Sequence, residues 1–126
     1  MAYDAATGTV VLFTTNGATW TWDGTTWTQQ APATSPSARD LASMAYDPAT
    51  GTVVLFGGGT GGPPLGDTWT WDGTTWTEQA PATSPPALAQ GAMSYDAATG
   101  TVVLFGGYKF DYQHEAKDLA ETWTWG

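Results

Sequence analysis

The densest chemistry in this chain lies between residues 108 and 121, in the run Tyr-Lys-Phe-Asp-Tyr-Gln-His-Glu-Ala-Lys-Asp-Leu-Ala-Glu. It holds the single histidine, His114, both lysines, Lys109 and Lys117, and three aromatic side chains, Tyr108, Phe110 and Tyr112. His114 beside Glu115 and Asp118 has the residue types of a metal or acid–base centre. A metal centre needs three or four convergent ligands, which one His in a loop does not supply, so no metal and no cofactor are expected. A contact role suits the run better. Tyr108, Phe110 and Tyr112 would be anchors, with Lys109, Asp111 and His114 selecting a partner through charge and hydrogen bonding. The plainer reading is a solvated insertion whose aromatics pack on the scaffold, since loops tolerate insertions. Arg39 offers a second ligand contact, although an ion pair with Asp40 or with a neighbouring repeat's carboxylate is the preferred reading. The recurring Asp4, Asp47 and Asp96 are best explained as turn caps. With no cysteine there is no thiolate nucleophile or ligand and no disulfide. No Ser sits in a nucleophile-elbow context. The chain is therefore expected not to be an enzyme.

Charge narrows the partners further. Three basic residues against twelve carboxylates leave a net charge of -9. Nucleic-acid binding needs a basic footprint, and an anionic membrane surface needs one too. Neither is an expected partner. The longest apolar run is Val-Val-Leu-Phe, far short of the roughly 18 residues of a membrane span. Met1 leads straight into a repeat, so no signal peptide is expected. The Lys-poor, Thr- and Trp-rich composition looks like that of bacterial extracellular repeat proteins.

The elements that must carry these residues come from internal repetition. The string beginning Met1-Ala2-Tyr3-Asp4 and ending Val-Val-Leu-Phe returns at Met44 and at Met93 with one substitution each. Thr-Trp-Thr-Trp occurs at Thr19, Thr68 and Thr122, and Gln-Ala-Pro-Ala-Thr-Ser-Pro at Gln30 and Gln79. All length variation falls between Phe and Thr-Trp-Thr-Trp, at residues 14–18, 57–67 and 106–121. One loop varies on a fixed scaffold, the usual place for binding in a repeat protein.

Each repeat reads as four short strands rich in Thr, Val and Trp. In the second copy they are expected at about 41–46, 52–56, 68–71 and 74–78, with eleven strands in the whole chain. Residues 113–120 could add a short helical turn. Asp47 to Gly51 fits a turn closed by a left-handed Gly, and Asp72-Gly73 a two-residue type I′ hairpin. That hairpin would place Trp69 opposite Trp76 and Trp20 opposite Trp27. The second strand has Val53 and Leu55 on one face and Val54 and Phe56 on the other. A strand apolar on both faces must be covered on both, which stacked sheets achieve. In such a sheet the variable loop shares an end with the connector between repeats.

These residues resemble Kelch repeats. The second strand is followed by the pairs Gly57-Gly58 and Gly106-Gly107. An aromatic then precedes a Trp with six residues between them, at Trp69 and Trp76 and at Trp20 and Trp27. The resemblance covers essentially the whole chain. It departs at Thr14-Thr15, where the glycine pair belongs, and at Trp123, which has no later Trp partner. It implies an all-β β-propeller of four-stranded antiparallel blades, about three to this chain: 1–30, 39–79 and 88–126, the last without its fourth strand. Relatives form rings of six or seven blades. Either the chain is a fragment, or copies associate, with a six-bladed homodimer favoured. The function expected is a non-catalytic, self-assembling scaffold that recognises a protein or glycan through its variable loops. The alternative is a duplicated or designed building block of a larger ring with no ligand of its own. A galactose-oxidase-like enzyme ranks last, because its copper site needs Tyr, His and Cys.

Overall fold

The computed structural model describes residues 1–110 and 116–126, apart from the side chains of Phe110 and Ala116. All described elements are strands, as the composition predicts. The first sheet runs β1 (Ala2–Asp4), β2 (Thr9–Phe13), β3 (Thr19–Trp22) and β4 (Trp27–Gln29). The second runs β5 (Ser43–Asp47), β6 (Thr52–Phe56), β7 (Thr68–Trp71) and β8 (Trp76–Gln79). Both are antiparallel with strands in sequence order. The last repeat gives β9 (Ala92–Asp96), β10 (Thr101–Phe105), a hairpin of β11 (Tyr108–Phe110) with β12 (Ala116–Asp118), and β13 (Thr122–Trp125). Its sheet has the order β13-β10-β9. The described strands therefore exceed the eleven expected. The surplus is the β11–β12 hairpin, so residues 116–118 are extended rather than helical; residues 113–115 lie outside the described residues.

The turns show why the segments fold locally. Gly8, Gly51 and Gly100 take left-handed φ of 70°, 69° and 71°, and each donates its N–H to the carbonyl of Asp4, Asp47 or Asp96. Each Asp carboxylate also accepts an amide bond of 3.0 Å two residues on. This is the expected capping role.

The second turn differs from the expectation. Trp71 faces Trp76 and Trp69 faces Glu78, while Trp22 faces Trp27 and Trp20 faces Gln29. The connection is thus four residues long, 72–75. A type I′ turn needs φ > 0 at both central residues, yet Gly73 has φ 103° and Asp72 is not left-handed. Asp72 Oδ1 instead accepts bonds of 2.9 Å from the amides of Thr75 and Thr74 and from the Thr74 hydroxyl. The Thr75 and Thr74 amide bonds hold this carboxyl below its ordinary range. Asp23 does the same in the first repeat, held low by the amides of Thr25 and Thr26. The corrected register still brings two indoles together: the rings of Trp71 and Trp76 lie 5.4 Å apart, as do those of Trp22 and Trp27.

The sheets pack face to face, with β1 against β5 and β5 against β9. Between the first and second lie Val11, Val53, Leu55, Trp71 and Trp76, all 0% exposed. Trp76 crosses over to the first sheet. Its ring meets Phe13 edge-on at 5.9 Å, and its Nε1 donates to Thr19 Oγ1 at 2.9 Å. Its main chain also pairs with Thr34. Burying an indole removes about 200 Å² from water, worth at most several kcal/mol. Between the second and third sheets lie Ala45, Val54 and Val102, then Phe56, Leu88 and Leu104. The two-faced β6 is covered on both sides, as its sequence requires.

Candidate functional site

The variable loops and the inter-repeat connectors meet at one end of the sheets. In the second repeat Asp40 exchanges both backbone hydrogen bonds with Gly59, and in the third Ala89 does so with Tyr108. The loops leave and return through the same frame. Gly57 N–H donates to Asp67 O and Leu65 N–H to Gly58 O; Gly106 N–H donates to Glu121 O and Leu119 N–H to Gly107 O. Between the second and third repeats, loop length changes only beyond these bonds, so the longer insertion extends the end without disturbing the sheet.

The glycine pairs make this meeting possible. A Cβ on Gly57 would stand 2.3 Å from Leu88 O, in the following connector, and one on Gly58 2.6 Å from Asp40 O, in the preceding connector. Gly107 repeats the constraint against Ala89 O at 2.8 Å. At Gly106 the nearest atom is Leu119 O at 3.6 Å, because no further connector lies against it among the described residues.

Arg39 is 2% exposed, and all five of its N–H groups are engaged. Nη1 and Nη2 grip Asp67 Oδ1 and Oδ2 at 2.6 and 2.8 Å. The remaining donors reach Gly57 O, Ser37 O and Ser37 Oγ, each at 3.1 Å. The ion pair that the sequence suggested therefore exists, but its partner is Asp67 of the same repeat rather than Asp40 or another repeat's carboxylate. Arg39 binds the connector to the root of the variable loop. Asp67 also accepts from Trp69 Nε1 at 2.7 Å. Burial alone would push its carboxyl up, but the Arg39 and Trp69 hydrogen bonds and the Arg39 charge outweigh that and hold it below the usual value. Trp123 Nε1 donates to Glu121 in the third repeat at 3.1 Å, with apolar Leu88 where Arg39 would stand. Asp67 was not picked out from the sequence; an acid two residues before a Trp in two repeats was the signal for it.

The β11–β12 hairpin carries Tyr108, Lys109 and the backbone of Phe110. Lys109 pairs with Lys117 across it and Tyr108 with Asp118, so two of the chain's three basic side chains share one hairpin face. The candidates Asp111, Tyr112 and His114 lie outside the described residues. Beside the hairpin is a recess of about 330 Å³ bounded by Gln90, Phe105, Gly107, Tyr108, Asp118 and Leu119. It combines aromatic, amide and carboxylate groups. No three His, Asp or Glu side chains converge among the described residues. Two further positions escaped sequence reading. Leu41 and Gln90, equivalent in the repeat, adopt φ of 58° and 60°, and Gln90 N–H donates to Leu41 O at 2.9 Å. Nothing in a Leu or Gln side chain announces a left-handed backbone.

No family model and no curated protein matches the chain. Among solved structures it is similar to YjhT, with a TM-score of 0.65 at 15% identity over 85% of this chain. That match covers 34% of YjhT, so this chain spans about a third of its length. At such identity the likeness shows a shared fold.

Proposed function

We infer that the chain is a Kelch-like propeller segment that closes into a ring with a second copy and acts as a non-catalytic scaffold. The observation that supports this most is the complementarity of its two open faces. Inside the chain, the first sheet offers Val11, Phe13 and Thr19, and the second inserts Met44, Tyr46, Trp71 and Trp76. The outer face of the first sheet carries the equivalents of that inserting set, and Met1, Tyr3 and Trp27 are 71%, 59% and 42% exposed. On the outer face of the third sheet stand Val103, Phe105 and Thr122, equivalents of the receiving set, with Phe105 51% exposed. Packing one copy's first sheet on the other's third repeats an interface the chain already makes. Done twice about a two-fold axis, it closes the ring. Exposed aromatic faces of this kind mark association sites.

Light scattering after size-exclusion chromatography, over a dilution series, tests the reading. A mass steady near twice 13.2 kDa, falling to one chain in the Trp27→Ala and Phe105→Ser variants, supports it. A monomer at all concentrations overturns it. The β11–β12 hairpin and its recess are the part of this scaffold suited to a protein or glycan partner.

A further inference from the structure

The first strands of the repeats offer the same residues to one groove. Its wall is Met44, Ala45 and Tyr46 of β5 and Met93, Ser94 and Tyr95 of β9, extended by residues 1–3, around a volume of about 430 Å³. Successive residues of a strand point to opposite faces of its sheet, so a wall of three in succession looks out from the strand's edge. β5 and β9 are edge strands, hydrogen-bonded on one side only among the described residues. The other edge presents main-chain N–H and C=O groups to the groove. Tyr46 packs against the core between the first and second sheets and Tyr95 against that between the second and third, which anchors both rings beside the groove.

Charge is segregated along the strands. The three basic side chains, Arg39, Lys109 and Lys117, all lie at the loop end. The opposite end holds Asp4, Asp47 and Asp96 in one set of turns and Asp23 and Asp72 in the other, with no basic side chain. The groove reaches that end, where Pro48 of the β5–β6 turn borders it. A recess with low-dielectric walls under a field of one sign concentrates ions of the other sign.

We propose that this groove binds a linear aliphatic polyamine. Its ammonium groups lie against the faces of Tyr46 and Tyr95 through cation–π attraction and donate N–H to the edge carbonyls of β5 and β9. Its methylene runs cover Met44 and Met93. The wall repeats from strand to strand, and so does the ligand, amine by methylene run by amine. The β5–β9 wall lies between sheets of one chain, so binding requires neither residues 1–3 nor ring closure.

The test uses the 126-residue protein, titrated with spermidine and followed by NMR of the amides and tyrosine rings, with calorimetry for affinity. Saturable shifts at Met44, Tyr46 and Tyr95 are expected, and none with octanediol, an uncharged chain of similar length, at the same concentration. Pro48→Lys sets a like charge at the border of the groove, at an exposed turn position where the other repeats have Ala5 and Ala97. It should weaken spermidine at least about tenfold. Thr77→Lys makes the same change of net charge at an exposed position on β8, the opposite edge of the same sheet, and should cost less than about threefold. Tyr46→Leu and Tyr95→Leu keep apolar packing, remove one cation–π contact each, and should each cost about threefold. No saturable shift at Tyr46 and Tyr95, equal binding of octanediol, or equal weakening by Pro48→Lys and Thr77→Lys overturns the proposal.

Discussion

Consider breaking the Arg39–Asp67 pair from each side. The Arg39 side chain is 1% exposed and that of Asp67 28%, so the two single losses should be unequal. Asp67→Ala strands a guanidinium that cannot reach water, and removing one partner of a buried pair costs about 3–5 kcal/mol. Arg39→Leu leaves a carboxylate that retains some solvent and the Trp69 bond, and should fall nearer 2 kcal/mol, about one charged hydrogen bond. The double variant, with no stranded charge and Leu placed as Leu88 is, should cost less than Asp67→Ala alone. Urea unfolding followed by Trp fluorescence measures all four proteins, urea leaving the ion pair unscreened. Such losses are large against the roughly 5–15 kcal/mol that stabilise a domain. Because the folded Asp67 carboxyl is held below its ordinary value, its contribution is complete above about pH 4, the unfolded carboxylate value. It is lost as pH falls through the folded value. The stability curves of the parent and Asp67→Asn should therefore converge in acid. Strict additivity of the single losses, or an Asp67→Ala cost under about 1 kcal/mol, would refute the assignment of Arg39 as an internal clamp.

Three further outcomes are expected. Gly57→Ala should destabilise far more than Gly106→Ala. Both carry a left-handed penalty of about 1–2 kcal/mol, but only Gly57 meets a carbonyl oxygen at 2.3 Å; equal urea midpoints would contradict this. Thr19→Val removes the acceptor of the buried Trp76 N–H and should cost about 1–3 kcal/mol, with a shift in Trp fluorescence that Thr9→Val does not produce. Gln90→Gly should be neutral or stabilising by up to about 1 kcal/mol, because relief of the left-handed φ of 60° outweighs the flexibility of glycine. A clear loss on thermal unfolding would point to side-chain contacts at Gln90 that outweigh the backbone strain.

Much of the sheet structure was legible in the chain itself. Repetition of a two-faced apolar strand, a Trp-rich third strand and Gly-closed turns determines antiparallel sheets that must cover one another, and these patterns are local or exact repeats of local ones. The aspartate caps, the glycine pairs and the end of the sheet where the loops gather were readable for the same reason. Tertiary structure decided what one position does relative to a distant one. Whether Trp76 faces Trp69 or Trp71 depends on a carboxylate choosing two threonine amides over a tighter turn, a difference of a few hydrogen bonds that the Asp-Gly pair does not encode. The burial of Arg39 and its choice of Asp67 depend on where a variable loop rejoins its sheet. A sequence names the parts of such a contact, but only packing brings residues 28 positions apart, as Arg39 and Asp67 are, within hydrogen-bonding distance.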